Sequence, residues 1–240
     1  MSKLNLPNVT LIAISSVKIQ QTLNALKYSM RGINFGEVVF VTHDYALDNV
    51  EGDLEGITIN HVSRINDIDR FSRMCVYDLP KWVNTEFMIL SAWDSAIVHP
   101  EQWTDEFLEY DYVGPLWTKG HNYFDKNGNQ VRVGNGHALR SQKLINLASK
   151  LELPWEPFTN NGQHEAGYWE DAWICVKNRH IYEEHGCKFA PIEVAAKWGR
   201  ELHRPPIEEN EGITPFLFHG RQDPYLDKIA HEESVKEIFS

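Results

Sequence analysis

The chain has 240 residues, 42% of them hydrophobic and 24% charged, which is the composition of a globular protein and points to one large α/β domain or at most two small ones. A chain of this size buries roughly 70–75% of the surface that its unfolded form exposes, so it can build a sizeable core. The formal net charge of −11 excludes a nucleic-acid polymer as partner, because phosphate backbones need clustered Lys and Arg, although it leaves room for a single nucleotide.

The first half alternates strands and helices. Residues 9–14 are apolar and β-branched, a buried strand that is too short for a signal peptide or a membrane span. Ser15 and Ser16 then offer capping hydroxyls to a helix whose Ile19, Leu23, Leu26 and Met30 share one face, and Gly32 ends it. Residues 38–41 form a second buried strand that runs into Thr42-His43-Asp44. Residues 56–62 form a third strand, 68–79 a helix stopped by Pro80, and 86–90 a fourth strand. Strands separated by helical stretches imply crossover connections and a mostly parallel sheet. Ligands of such sheets sit beyond the carboxyl ends of the strands, which singles out Ser15, Ser16, Asp44, Trp93 and Asp94.

From residue 111 the pattern changes. Residues 111–115 form a short strand, and Asn127-Gly128 between Tyr123-Phe124 and residues 131–133 signals a hairpin. Gly134-Asn135-Gly136 follows, then a helix over 141–151 and another from Trp169 with Trp173, Val176 and His180 on one side. Residues 153–167, rich in Pro, Asn and Gly, read as a long loop and a candidate lid. Residues 216–218 form a late strand that delivers His219-Gly220.

Four segments carry residues suited to chemistry. Asp94 follows an apolar strand, an arrangement that holds a divalent cation beside a phosphate, although a loop-capping Asp has the same appearance. Glu170-Asp171 is an acidic pair at a helix start, where capping and the helix dipole also favour acids; as chemistry, one carboxylate takes a proton from an attacking hydroxyl. His219 ends an apolar strand and is expected at a metal or a diphosphate. Gly134-Asn135-Gly136 presents backbone N–H groups to a ligand or forms a tight turn of positive φ; it is neither GxGxxG nor a P-loop. His164-Glu165 lacks the second His of a zinc-protease helix and reads as loop, and no close His/Cys spacing supports a zinc hydrolase. The three cysteines, Cys75, Cys175 and Cys187, have no CxxC spacing and fit a reducing compartment, so a cytoplasmic protein is expected. Association with the inner face of a membrane is compatible with this.

Together these segments resemble a group of GT-A-like glycosyltransferase domains of microbial and viral proteins. The resemblance rests on Asp94 after its strand, residues 110–117, Gly134-Asn135-Gly136 with Leu139-Arg140-Ser141, Glu170-Asp171, and Phe218-His219-Gly220, in that order. It implies a Rossmann-like, mostly parallel central sheet flanked by helices, with a smaller antiparallel portion on the acceptor side. The whole chain is then a single domain, with residues 1–110 as the nucleotide half and 111–240 as the acceptor half. The resemblance further implies a nucleotide-sugar co-substrate (a UDP-sugar), a glycan or glycolipid acceptor, and Mn²⁺ or Mg²⁺ held by Asp94 and His219. Asp171 matches the catalytic base of inverting members, with Glu170 beside it on a sugar. Gly134, Asn135 and Gly136 line the sugar pocket, Trp117 and Trp169 are its stacking walls, Ser15, Ser16 and Asp44 cradle the nucleoside, and Arg73 reaches the phosphates. One departure stands out: Ala92 occupies the place of the first acid of the DxD motif. A retaining transferase, or a binding module without catalysis, is the alternative reading.

Overall fold

The computed structural model describes residues 3–158, 167–201 and 207–220. Its centre is a six-stranded sheet in the order β3-β2-β1-β4-β7-β6. Strands β1 (Leu4–Ile14), β2 (Ile33–His43), β3 (Thr58–Val62) and β4 (Phe87–Ser91) are parallel to one another; β7 (Leu139–Ser141) runs antiparallel to both β4 and β6 (Tyr112–Val113). A second, three-stranded sheet places β9 (Leu217–His219) between β5 (Ser95–Ile97) and β8 (Gly199–Glu201). The architecture is therefore mixed α/β and Rossmann-like, as the alternating first half of the chain implies.

The central sheet is covered on both faces, which explains why its strands read as continuous apolar runs. Successive β1 side chains point to opposite faces. Leu11 and Ala13 enter a core shared with α1 (Ile19–Met30) and α6 (Ile192–Trp198), whereas Ile12 and Ile14 enter a core with Met74, Leu144 and Trp173. The first core also takes in Phe216 and Leu217, so both sheets share it.

Local details depart from the sequence reading in physically instructive ways. Ser15 and Ser16 do not cap α1: its N-terminal boundary residue is Lys18, left-handed at φ 48° and without a side-chain cap. The Ser15 hydroxyl instead closes a local turn on Val17, and Ser16 Oγ accepts from the Ile65 N–H at 2.9 Å, tying the end of β1 to the loop after β3. The helix expected over 68–79 is α2 (Ile68–Arg73), capped by Asp67, which widens into a π-helical turn at Met74–Asp78 and tightens at Leu79–Lys81 around Pro80. The expected 123–133 hairpin is reduced to one bridge between Phe124 and Gln130 around Gly128 at φ 81°. Residue 141 opens α3 (Gln142–Lys150) as predicted, its hydroxyl accepting from the Leu144 N–H at 3.1 Å.

The helix expected from Trp169 begins as α4 (Glu170–Ala172), widens at Trp173–Lys177 and breaks at Asn178, so that His180 belongs to the separate α5 (Arg179–Glu184). Within the long 153–167 loop Phe158 and Gly167 exchange reciprocal hydrogen bonds; residues 159–166, with His164-Glu165, lie outside the described residues. Among the described residues no helix is long and apolar enough to cross a membrane.

Candidate functional site

The strand order reverses between β1 and β4: from β1 the chain runs outward through β2 and β3, then returns to the far side of β1. Loops leaving the carboxyl ends of such neighbours diverge and open a crevice. A cavity of about 510 Å³ lies there, lined by Ser15 and Ser16 after β1, Trp93 and Asp94 after β4, and Glu170 and Asp171 of α4. Asn135, Gly136, His137, Trp169 and His219 complete that wall, and Ile65, Ile68 and Phe71 close the side toward α2.

Asp94 is held by main-chain bonds on both sides. The turn from Ala92 to Ser95 closes through the Ser95 N–H on the Ala92 carbonyl at 3.2 Å and the Ala92 N–H on Ser95 Oγ at 2.8 Å. The Gly220 N–H then donates to the Asp94 carbonyl at 2.8 Å, which brings the end of β9 alongside. His219 Nε2 lies 3.6 Å from Asp94 Oδ1, and its Nδ1 lies 2.5 Å from Glu201 Oε1 on β8. Burial by itself pulls the His219 imidazole toward the neutral form, but the Glu201 charge and hydrogen bond, then Asp94 and Asp171, outweigh it and push its pKa up to about 9.

Glu170 is buried and its Oε1 lies 3.2 Å from Arg140 Nη2, an ion pair sealed in the floor of the crevice. Asp171 is the partly exposed member of the acidic pair, with Oδ1 2.7 Å from the Ala172 N. Burial of its carboxyl, reinforced by the negative charge of Glu170, raises its pKa to about 7 against the lowering effects of the Ala172 N–H, Arg140 and His219. A carboxylate poised near neutrality is suited to accept a proton from a substrate hydroxyl.

The fit of a divalent cation rests on the donors Asp94 and His219. With Nδ1 engaged by Glu201, His219 presents Nε2 toward Asp94; a cation would have to displace the Nε2 proton that its raised pKa keeps there near neutral pH, after which Glu201 would fix the orientation of the ligating imidazole. No group of three or more His, Cys, Asp or Glu side chains suited to a metal occurs among the described residues, so phosphate oxygens and water have to complete the shell of a bound Mn²⁺ or Mg²⁺.

Ten of the residues expected from sequence therefore line one crevice: Ser15, Ser16, Trp93, Asp94, Asn135, Gly136, Trp169, Glu170, Asp171 and His219. Four others lie elsewhere. Asp44 is exposed and pairs with His61 at 3.3 Å. Arg73 lines a neighbouring cavity with Arg70, Asp78 and Lys81, because it projects from the outer side of α2. Trp117 is buried against Gly134, where a Cβ would fall 2.0 Å from its ring, so this pair packs together and does not line the crevice. The positive φ of the Gly134-Asn135-Gly136 segment falls on Asn135, at 70°, with neither glycine in the left-handed region. The sequence alone assigned no role to Glu201, His137 or Arg140, although Arg140 stands in the Leu139-Arg140-Ser141 stretch that carries the resemblance.

No curated protein matches the chain. Among solved structures it is similar to a glycosyltransferase involved in the glycosylation of the major capsid of PBCV-1, with 11% identity and a TM-score of 0.48 over 94% of this chain and 98% of that one. It is also similar to the bifunctional IspDF from Campylobacter jejuni, with 11% identity and a TM-score of 0.45 over 76% of this chain, which spans about half (48%) of that protein. Superpositions this loose have no bearing on activity. The family model described as "Protein of unknown function (DUF5672)" matches residues 58–219, about two thirds of the 240 residues, from the first residue of β3 to His219. The chain belongs to this DUF5672 family.

Proposed function

We propose that the protein is a glycosyltransferase that moves a sugar from a nucleotide-sugar, a UDP-sugar in the first instance, to a hydroxyl of a glycan or glycolipid. The observation that carries this reading is the meeting of Asp94, Asp171 and His219, remote in sequence, on one cavity at the point where the strand order reverses. A metal-type pair and a carboxylate poised near neutrality, side by side, are what transfer from a diphosphate leaving group to a hydroxyl requires.

In this reading the diphosphate lies by Asp94 and His219, which would hold Mn²⁺ or Mg²⁺. The ion, when bound, neutralises the negative charge that develops on the departing diphosphate. Ser15 and Ser16 border the nucleoside side, and Trp169, 42% exposed in the same cavity, offers ring surface to a sugar. Asp171 Oδ accepts the proton of the acceptor hydroxyl as its oxygen attacks the anomeric carbon, and the bond from that carbon to the diphosphate oxygen breaks. The sugar inverts. Cytoplasmic location and action at the inner face of a membrane, on a lipid-linked acceptor, accompany this proposal.

A second reading, a carbohydrate- or nucleotide-binding module, is favoured by Ala92 in place of the first DxD acid. A panel of nucleotide sugars with and without Mn²⁺ separates the two. Thermal stabilisation by a nucleotide sugar, with release of free nucleotide and a new glycosidic product or free sugar, supports the transferase. Stabilisation without any nucleotide release over long incubation selects the binding module, and no stabilisation by any member removes both. The configuration of the product's anomeric centre, read by NMR, tests inversion.

A further inference from the structure

Arg140 sits in the middle of β7 with no exposed surface, and a charge in such a place is costly unless it is paired and hydrogen-bonded. It is both. Nη2 lies 3.2 Å from Glu170 Oε1, Nη1 donates to the Cys75 carbonyl in the widened turn of the α2 segment at 3.3 Å, and the guanidinium carbon lies 5.4 Å from the centre of the Tyr112 ring.

The partners of Arg140 are themselves fixed. Tyr112 donates its hydroxyl to the Asn135 carbonyl at 2.6 Å, which holds the left-handed residue just before Gly136. A Cβ at Gly136 would lie 3.0 Å from Glu170 Oε1, so the loop backbone closes the space into which this carboxylate would otherwise turn. Replacing a buried ion pair by apolar groups of similar volume is often neutral or stabilising. Stability alone is therefore a weak reason for an Arg–Glu pair in the floor of a crevice, one residue from a carboxyl that faces the cavity.

We propose that Arg140 is the positioning residue of the acidic pair: by clamping Glu170 it fixes the negative charge beside Asp171 and, together with that charge, sets the proton affinity of Asp171. The inference rests on the reading of Asp171 as the base. The groups that act on Asp171 are Glu170, the Ala172 N–H, Arg140 and His219, and Asp171 in turn acts on Cys75, Cys175 and Tyr112. Burial first pushes those two thiols and the phenol upward, away from neutrality, so Glu170, Arg140 and His219 are the charges that matter around pH 7.

The experiment is a pH titration of the Asp171 side-chain carboxyl by ¹³C NMR in the full chain, with the signal identified by its loss in Asp171→Asn. Glu170→Gln removes the neighbouring negative charge and is expected to lower the midpoint by about one pH unit or more. Arg140→Lys, which keeps the positive charge, is expected to leave it near the wild-type value.

Arg140→Met leaves Glu170 buried without its partner and can fail to fold, so the double variant R140M/E170Q, with both charges removed, provides the second comparison. Its midpoint is expected between those of Glu170→Gln and the wild type. Equal midpoints in Glu170→Gln and the double variant overturn the proposal whether or not Arg140→Met folds. The titration uses no substrate: a protein that transfers no sugar refutes the transferase reading without touching the midpoints, and midpoints that do not move refute the role of Arg140 while transfer persists.

Discussion

Glu201 on β8 holds His219 Nδ1 at 2.5 Å, and this leaves Nε2 facing Asp94 Oδ1 at 3.6 Å. The relationship joins the two sheets, because Asp94 leaves β4 of the central sheet while Glu201 and His219 stand side by side in the small one, in register as neighbours on β8 and β9. It also gives the imidazole a fixed orientation before any ligand arrives.

If Asp94 and His219 hold a cation, Asp94→Ala and His219→Ala should each abolish the Mn²⁺ dependence of UDP binding measured by calorimetry. Glu201→Gln, which keeps the shape but weakens the orientation of His219, should lower metal affinity by about 10–100-fold. UDP binding that is indifferent to Mn²⁺ in the wild type and in all three variants would retire the metal site.

Asp171→Asn should reduce turnover by about 10²–10⁴-fold while nucleotide-sugar affinity stays within a few-fold of wild type. Steady-state rates at saturating donor, set beside donor affinity, separate the two effects. Near-normal turnover would remove Asp171 as the base.

The rate should rise with pH through about 7, as the Asp171 carboxyl loses the proton that burial and Glu170 help it keep. Glu170→Gln takes away part of the cause and should move this limb to lower pH. A profile that is flat from pH 5 to 9 (about the range that brackets the value) contradicts the assignment.

The same raised pKa has a consequence for stability. A carboxyl that holds its proton more tightly when folded contributes stability below its unfolded pKa and loses that contribution as pH rises through its folded value of about 7. Asp171→Asn mimics the protonated form, so the variant should melt above the wild type at pH 8, and the difference should vanish near pH 4. A lower melting temperature for the variant at pH 8 would contradict this.

Gly134 is required by packing, since a Cβ there would come 2.0 Å from the Trp117 indole, which is 4% exposed. Gly134→Ala should destabilise the fold by about 1–3 kcal/mol, as small-to-large changes in filled interiors do. Denaturant unfolding measures it, and an unchanged midpoint would show that the wall yields at no cost.

Much of the first half was legible from residues alone. The run around Leu11 and Ile12, the run around Val39 and Phe40, and the run ending at Leu90 each proved to be a strand buried on both faces, and the residues that follow the first and last of them line the crevice. Asp44 and Arg73 follow the expected elements but do not line the cavity: one pairs with His61 and the other borders a neighbouring cavity. Asp44 follows β2, the neighbour of β1 on the side away from the reversal, and a linear reading contains no strand order. Trp117 is buried against Gly134, and an indole that stacks on a ligand and one that fills a wall are the same residue type in the same loop composition.

What sequence by itself determined is what local patterning encodes: apolar runs long enough to be strands, helices marked by periodic faces, and acids or a His at the ends of those runs. Tertiary structure alone decided that β7 inserts antiparallel beside β4, bringing Arg140 under Glu170, and that β8 and β9 pair so that Glu201 reaches His219. The short strands β5, β7, β8 and β9 carry too few residues for a period to emerge, and their places come from hydrogen-bonded partners far along the chain. Pairing over such distances is set by how the whole molecule buries its surface, and no window of neighbouring residues contains it.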